Sequence, residues 1–211
     1  MHICIIGDGV AGLMAANLFA VKDYVNKVTH IGSSKIPSIG VGESTTLNFT
    51  SLHRAFDRNE KEFIREADAC VKVGVLYSNW SPREYIHHFR VSALYEKHQI
   101  NPMEYANSLA NKNTDIHIHD LLANRLFHDA KNYQIPNPIN NPNSPNCCYG
   151  TSWHFDAGKY ISYLKKLLKR KQEKVTIIDD VVVDCNFKQD KSIDFITLES
   201  HQVIRADYYI I

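Results

Sequence analysis

The chain has 211 residues, with 44% hydrophobic and 22% charged side chains, a balance that excludes a disordered or collagen-like polymer and suits one domain, or one domain carrying a large insertion. Lys and Arg number 24 against 23 Asp and Glu, so the formal net charge of +1 gives no electrostatic case for nucleic acid or an anionic membrane. No apolar run approaches the roughly 18 residues of a membrane span, and Met1–Ile6 runs into Gly7 without a basic segment or cleavage site, so no signal peptide is expected. Cys4, Cys70, Cys147, Cys148 and Cys185 have neither zinc spacing nor a disulfide framework. They are expected to be buried thiols in a reducing cytoplasm.

In chain order, His2–Ile6 reads as a short strand, Gly7–Gly12 as a turn, Leu13–Val21 as a helix and Val28–Ile31 as a second strand. Residues 32–42 form a loop rich in Gly, Ser and Pro. Leu47 to about Ala69 reads as an amphipathic helix, with Leu52, Phe56, Phe63 and Ile64 facing inward. Val71–Tyr77 and Tyr85–Val91 suit strands. Pro136–Pro145 holds four prolines in ten residues and is a loop. Ala157–Arg170 returns to a helix, apolar at Tyr160, Ile161, Leu164, Leu167 and Leu168. Lys165, Lys166, Lys169 and Arg170 stand near its C-terminal end, where cations suit the helix dipole. Val175–Ile178, Val181–Cys185, Phe195–Leu198 and Tyr208–Ile211 read as strands. The last, in Ala206–Ile211, has the continuous apolar character of a buried parallel strand, and the chain is expected to be cut short there.

The clearest motif is Gly7-x-Gly9-x-x-Gly12. Glycines at these offsets allow a tight turn, close approach of backbone to a pyrophosphate, and close packing of helix on strand. The N–H groups and positive dipole of the following helix then hold phosphate. The acid expected about 20 residues on, which would bind ribose hydroxyls, is missing: position 32 is Gly, with Ser33 and Ser34 the nearest polar groups. NAD and FAD are therefore not distinguished by spacing alone. Lys72 interrupts the apolar stretch Ala69–Leu76. Pointing inward it would lose hydration, its pKa would fall, and it would serve as a donor or nucleophile; pointing outward its stem would simply snorkel. Asp115-x-His117-x-His119-Asp120 has a metal-like look, but a zinc site needs three or four converging ligands, and no metal site is expected. His154 and Asp156 are acid/base candidates, although Asp156 better suits capping of the helix that follows.

Taken together, several segments resemble the N-terminal part of the flavin-dependent tryptophan halogenases, over nearly the whole chain. They are Gly7–Gly12, the stretch Ile36–Thr45, Lys72 with Asn79-Trp80, His87-His88-Phe89, Pro102–Ala106, and Trp153–Ala157. The resemblance implies an α/β, Rossmann-like FAD-binding fold of the flavin monooxygenase type with an inserted substrate-side segment. Residues 1–46 and 150–211 would form the dinucleotide-binding core and 47–149 the insert. It implies that reduced FAD, supplied by a separate flavin reductase, uses O2 to oxidise a halide to hypohalous acid, which passes through a tunnel to a small aromatic substrate.

By the same resemblance, Lys72 is the catalytic lysine that receives or hydrogen-bonds this oxidant. Gly7, Gly9, Val10, Ala11, Gly12 and Ser33 would contact FAD. So would the strap Ile39, Gly40, Val41, Gly42, Glu43 and Ser44. His87 and Phe89 would flank an indole-like ring. The implied setting is cytoplasmic, and a homodimer is left open. Gly32 stands where the family has a ribose-binding Glu, so a loosened adenosine end is expected. The family's catalytic glutamate, halide-site backbone and substrate lid belong to a later half, and the 211 residues alone are expected to be inactive. Two other readings fit the same fold: an FAD-dependent aromatic hydroxylase, and a degenerate nucleotide-binding module without catalysis.

Overall fold

The structure, a computed structural model, describes residues 1–36, 41–72, 74–80, 85–88 and 152–211. Its elements begin with β1 (His2–Ile6), α1 (Val10–Ala20), β2 (Lys27–Gly32), β3 (Gly42–Ser44), α2 (Leu47–Arg54) and α3 (Glu60–Glu66). Next come β4 (Cys70–Lys72), β5 (Gly74–Tyr77), β6 (Tyr85–His88), β7 (Ser152–Asp156) and α4 (Ala157–Lys169). The chain ends with β8 (Val175–Asp179), β9 (Val182–Phe187), β10 (Ile193–Leu198), β11 (Val203–Ile204) and β12 (Tyr208–Ile210). Compactness divides it into two units. Met1–Ser44, Asn48–Cys70 and Trp153–Ile211 form the first, and Thr45–Leu47 with Val71–Ser152 the second.

In the first unit β1 is apolar from Ile3 to Ile6 because both of its faces are covered there. It lies in a parallel sheet of order β12-β1-β2-β8, with Ile3 opposite Val28 and Tyr208, and Cys4 opposite Thr29 and Tyr209. Alternation along the strand sends Ile3 and Ile5 into a core shared with α1 and α4, where Leu13, Ala16, Tyr160 and Leu164 are fully buried. Cys4 and Ile6 join a second core with Ile196, Leu198 and Ile204 of the antiparallel sheet β11-β10-β9. Helices thus cover one face of the parallel sheet and an antiparallel sheet the other. The last strand, β12, is parallel as expected, but it stands at the end of the sheet order with Tyr208 60% exposed rather than as a buried strand.

The predicted helix over 47–69 is two helices. After Arg54 the side chain of Asp57 accepts from Asn59 N (3.0 Å), and Asn59 Oδ1 accepts from Glu62 N (3.2 Å) as the N-cap of α3. These short polar side chains satisfy backbone donors that a continuous helix would need, so they end one helix and start another. Phe63 is fully buried as expected and Phe56 partly buried, but Leu52 and Ile64 are exposed. The Phe63 ring lies 4.5 Å from His53, 5.3 Å from Trp153 and 5.5 Å from Tyr160, between centroids.

Asp156 caps α4 as its position predicts, accepting from Lys159 N at 2.8 Å. The cations of α4 mostly reach carboxylates of other elements: Lys165 pairs with Asp8, and Lys166 and Arg170 both meet Glu62. Asn17, buried in α1, ties the two helices by donating to Leu164 O (3.0 Å) while its Oδ1 accepts from Lys171 (3.0 Å). Cys4 is buried, but Cys70 is exposed, contrary to the expectation of buried thiols throughout; it stands at the start of β4, where its side chain faces out of the strand. Cys147, Cys148, and the stretch with His117 and His119 lie outside the described residues.

In the second unit β5 and β6 pair antiparallel, Gly74 opposite His88 and Val75 opposite His87. The single strand expected over 71–77 is divided between β4 and β5. No helix among the described residues is long and apolar enough to cross a membrane.

Candidate functional site

The chemistry-bearing end of the first unit is the C-terminal edge of its parallel sheet, where β1 turns into α1. Gly7 has φ +130°, a conformation that side chains other than glycine rarely adopt. Its N–H donates to Ile31 O (2.9 Å), and its carbonyl accepts from His30 Nε2 (3.0 Å). His30 is 1% exposed and burial pulls its pKa below the ordinary histidine value, which suits a neutral ring carrying its proton on Nε2. Gly12 lets α1 close onto this turn: a Cβ there would stand 2.2 Å from Gly7 O. Gly9 is the N-cap, extended at φ −83°, with no side-chain cap and no acid in the first turn of α1. The first N–H groups of that helix are therefore left to a ligand or to solvent.

In front of the turn lies a cavity of about 470 Å³. Gly7, Asp8, Gly9 and Val10 form its floor with Ile31, Gly32 and Ser33 at the end of β2. Glu43 and the junction Asp180–Val182 also line it. Its size is within the usual range for a small-molecule site. The wall at β2 is tightly tied: Ser34 N donates to Asp179 Oδ1 (2.7 Å), and Asp180 N donates to Gly32 O (2.8 Å). The Asp180 carboxylate accepts from Val181 N (2.7 Å) and Ser200 N (3.3 Å). The Ser34 N–H is the largest cause holding the Asp179 carboxyl below the ordinary carboxylate range, and the Ser200 side chain, followed by the Val181 N–H, does the same for Asp180. A turn that requires glycine at position 7 for its φ and at position 12 for its close packing, an uncapped helix start and a roomy cavity together fit the pyrophosphate half of a dinucleotide.

Of the residues expected to bind the cofactor, Gly7, Gly9, Val10, Ser33 and Glu43 line this cavity. Gly12 shapes it from behind. Ala11 is exposed on α1, and Val41, Gly42 and Ser44 are exposed on or beside β3. Ile39 and Gly40 lie outside the described residues. β3 is held by β7, Gly42 opposite Asp156 and Ser44 opposite His154, and Ala157 N donates to Val41 O (3.2 Å). Sequence reasoning missed Asp180, Val181 and Val182, and it passed over Asp8 as a variable position of the glycine motif.

In the second unit Lys72, half-buried at the end of β4, donates from Nζ to Thr45 O at 3.2 Å. Thr45 follows the strap residue Ser44 in the chain, and its Oγ1 meets Ser152 Oγ at 2.5 Å, while Ser152 donates to Thr46 O (2.6 Å). The segment after Lys72 continues into β5, which pairs with the strand carrying His87. Lys72 of β4 and His87 of β6 belong to different sheets, β3-β7-β4 and β5-β6. Phe89 lies outside the described residues. Among the described residues no three His, Cys, Asp or Glu side chains cluster as a metal site.

Comparison with known proteins extends this geometry along the whole chain. RebH of Lentzea aerocolonigenes, a tryptophan 7-halogenase, is 24% identical over 99% of this chain and 41% of its own length. KtzR of Kutzneria sp., a 7-chloro-L-tryptophan 6-halogenase, is 31% identical over 70% of this chain and 26% of its own. The crystal structure of a tryptophan halogenase from Shewanella frigidimarina superposes with a TM-score of 0.77 at 21% identity, covering 99% of this chain and 41% of that one. BrvH, a flavin-dependent halogenase from Brevundimonas, superposes at 0.76 with 20% identity and the same coverage. The chain spans about 41% of the length of most of these relatives. The glycine turn, the strap and the lysine strand all fall inside the tryptophan halogenase family model, which matches residues 2–210, and the chain belongs to that family.

Proposed function

We propose that the chain forms the flavin-binding part of a flavin-dependent halogenase acting on tryptophan or another indole-like ring, with FAD as cofactor and halide as co-substrate. The observation that carries this reading is the cavity of about 470 Å³ at the glycine turn, in a chain whose family match runs over residues 2–210. The adenosine diphosphate of FAD would lie across Gly7–Val10, with its phosphates at the start of α1. The FAD held there, reduced by a separate reductase in the cytoplasm, would activate O2 so that halide is oxidised to hypohalous acid. The first unit, Met1–Ser44 with Asn48–Cys70 and Trp153–Ile211, would serve the dinucleotide, and Val71–Ser152 the substrate side.

Lys72 is the residue assigned to the oxidant. Its ammonium is anchored on Thr45 O, which fixes a positive donor next in the chain to the strap. A donor held there would place charge where it develops on a departing oxygen, making the transferred halogen more electrophilic. His87 and Phe89 would flank the ring by stacking. The 211-residue chain is expected to bind FAD and to lack turnover by itself. The first test is a titration with FAD followed by flavin fluorescence. The second uses a full-length relative, photoreduced FAD, bromide and indole: replacing its counterpart of Lys72 by Ala should abolish brominated product while flavin reoxidation persists. Product that forms without halide would show a hydroxylase instead.

A further inference from the structure

We propose that Asp8 takes over the role of the acid missing at position 32 and accepts hydrogen bonds from the ribose hydroxyls of the adenosine half of FAD. The inference rests on the reading of the first cavity as the flavin site. In dinucleotide folds the ribose acceptor stands at the end of the second strand, projecting toward the glycine turn. Here that position is Gly32, and the space its side chain would fill is already taken. A Cβ on Gly32 would lie 2.7 Å from both Cβ and Cγ of Asp8 and 2.8 Å from Asp8 Oδ1. Only one carboxyl-bearing side chain fits between the turn and the strand end. In this chain it is supplied by the turn, and glycine at position 32 is what makes room for it.

The surroundings of Asp8 agree. Asp8 and Gly32 both line the large cavity, and both also line a second, smaller one of about 230 Å³ on the side of α4. From that side Lys165 of α4 pairs with Asp8 Oδ2 and fixes the direction of the carboxyl group. Among the described residues Oδ1, which stands 2.8 Å from where a Cβ on Gly32 would be, has no hydrogen-bond partner, so an acceptor is left at the strand end. The competing carboxylates at this rim are occupied. Asp179 is bonded to Ser34 N, and Asp180 to Val181 N and Ser200 N. Glu43, the remaining acid of the cavity, belongs to β3 rather than to the end of β2.

The test is a competition. The 211-residue chain is loaded with FAD, and ADP or 2′-deoxy-ADP is used to displace it. The parent chain should favour ADP by about tenfold, because 2′-deoxy-ADP leaves a half-buried acceptor without its donor. Asp8→Ala should weaken FAD by about 10- to 100-fold and erase the preference. Gly32→Ala keeps the carboxylate but pushes it off its place, and should lower both affinity and preference even where Asp8→Ala proves unfolded by circular dichroism. Asp8→Gly combined with Gly32→Glu moves the acid to the strand and should restore the preference. A parent that binds FAD without favouring ADP would overturn the assignment of Asp8. So would a Gly32→Ala chain, or a folded Asp8→Ala chain, that keeps both affinity and preference. A parent that binds no FAD would overturn the flavin reading itself, and this inference with it.

Discussion

Gly12 and Gly9 belong to one motif, yet the structure separates their work, and a pair of alanine substitutions reads the difference. At Gly12 the added methyl would meet Gly7 O at 2.2 Å and Gly7 C at 3.0 Å, roughly 1 Å inside ordinary contact. Neither neighbour can yield easily. Gly7 is pinned by its bonds to Ile31 and His30, and α1 is pinned by buried Leu13, Ala16 and Asn17. Overpacking costs about 1–3 kcal/mol, here at the upper end because the obstacle is backbone. The better helix propensity of Ala returns about 1 kcal/mol, leaving a net loss of about 2 kcal/mol. For a chain of this size that lowers the melting temperature by about 4–8 °C. Gly9→Ala meets nothing within 4 Å at an ordinary φ, so its melting should stay within about 0.5 kcal/mol of the parent. Its methyl points into open space at a residue that lines the cavity, so it should weaken FAD binding instead. Thermal melts by circular dichroism and flavin titrations measure both. Unchanged melting in Gly12→Ala would refute the close packing of helix on turn, and unchanged FAD affinity in Gly9→Ala would refute the seat of the pyrophosphate.

Two further expectations concern stability. Phe63→Ala, which empties the centre of the aromatic cluster around His53, Trp153 and Tyr160, should cost about 3–5 kcal/mol; a urea midpoint close to the parent's would show that the cluster collapses to fill the space. His30 and His53 are both buried, and burial, the largest cause in each, pulls their pKa values below the ordinary one. Their unfolded forms take up protons first as pH drops below about 6.5. Stability from this source is therefore complete above that pH and falls below it toward the folded values. The slope approaches about 1.4 kcal/mol per pH unit for each histidine. Equal urea midpoints at pH 7.5 and 5.5 would contradict it.

The strand–turn–helix–strand opening of the chain was legible because its signals are local: an apolar run, three glycines at set offsets and a second apolar run. The parallel strand at Tyr208–Ile210 was legible for the same reason. The break between α2 and α3 was not, since Leu52 and Ile64 mimic a continuous apolar stripe while Asp57 and Asn59 divert the backbone through contacts that spacing does not show. The strand Ser152–Asp156 needs Gly42–Ser44 as partner, more than a hundred residues away in sequence, and neither segment announces the pairing. Val181 and Val182 line the cavity only because the chain passes from β8 to β9 there, and no residue type marks such a passage. Asp8 was hidden differently. Its place in a glycine motif is variable, and its significance lies in a distance to Gly32 that only the fold reveals.

The position of β1 has a consequence for how the polypeptide acquires its shape during synthesis. One edge of this first strand is claimed by β2 soon after it emerges, but the other is claimed by β12, where Ile3 meets Tyr208 and His2 N donates to Asp207 at 2.6 Å. Contacts of such sequence separation form late, because a long loop must close before they can repay its entropy. The opening strand therefore leaves the ribosome roughly two hundred residues before its second neighbour. Through that interval its outer backbone groups are a template for any passing strand, which makes this edge the place where a holding chaperone would matter most.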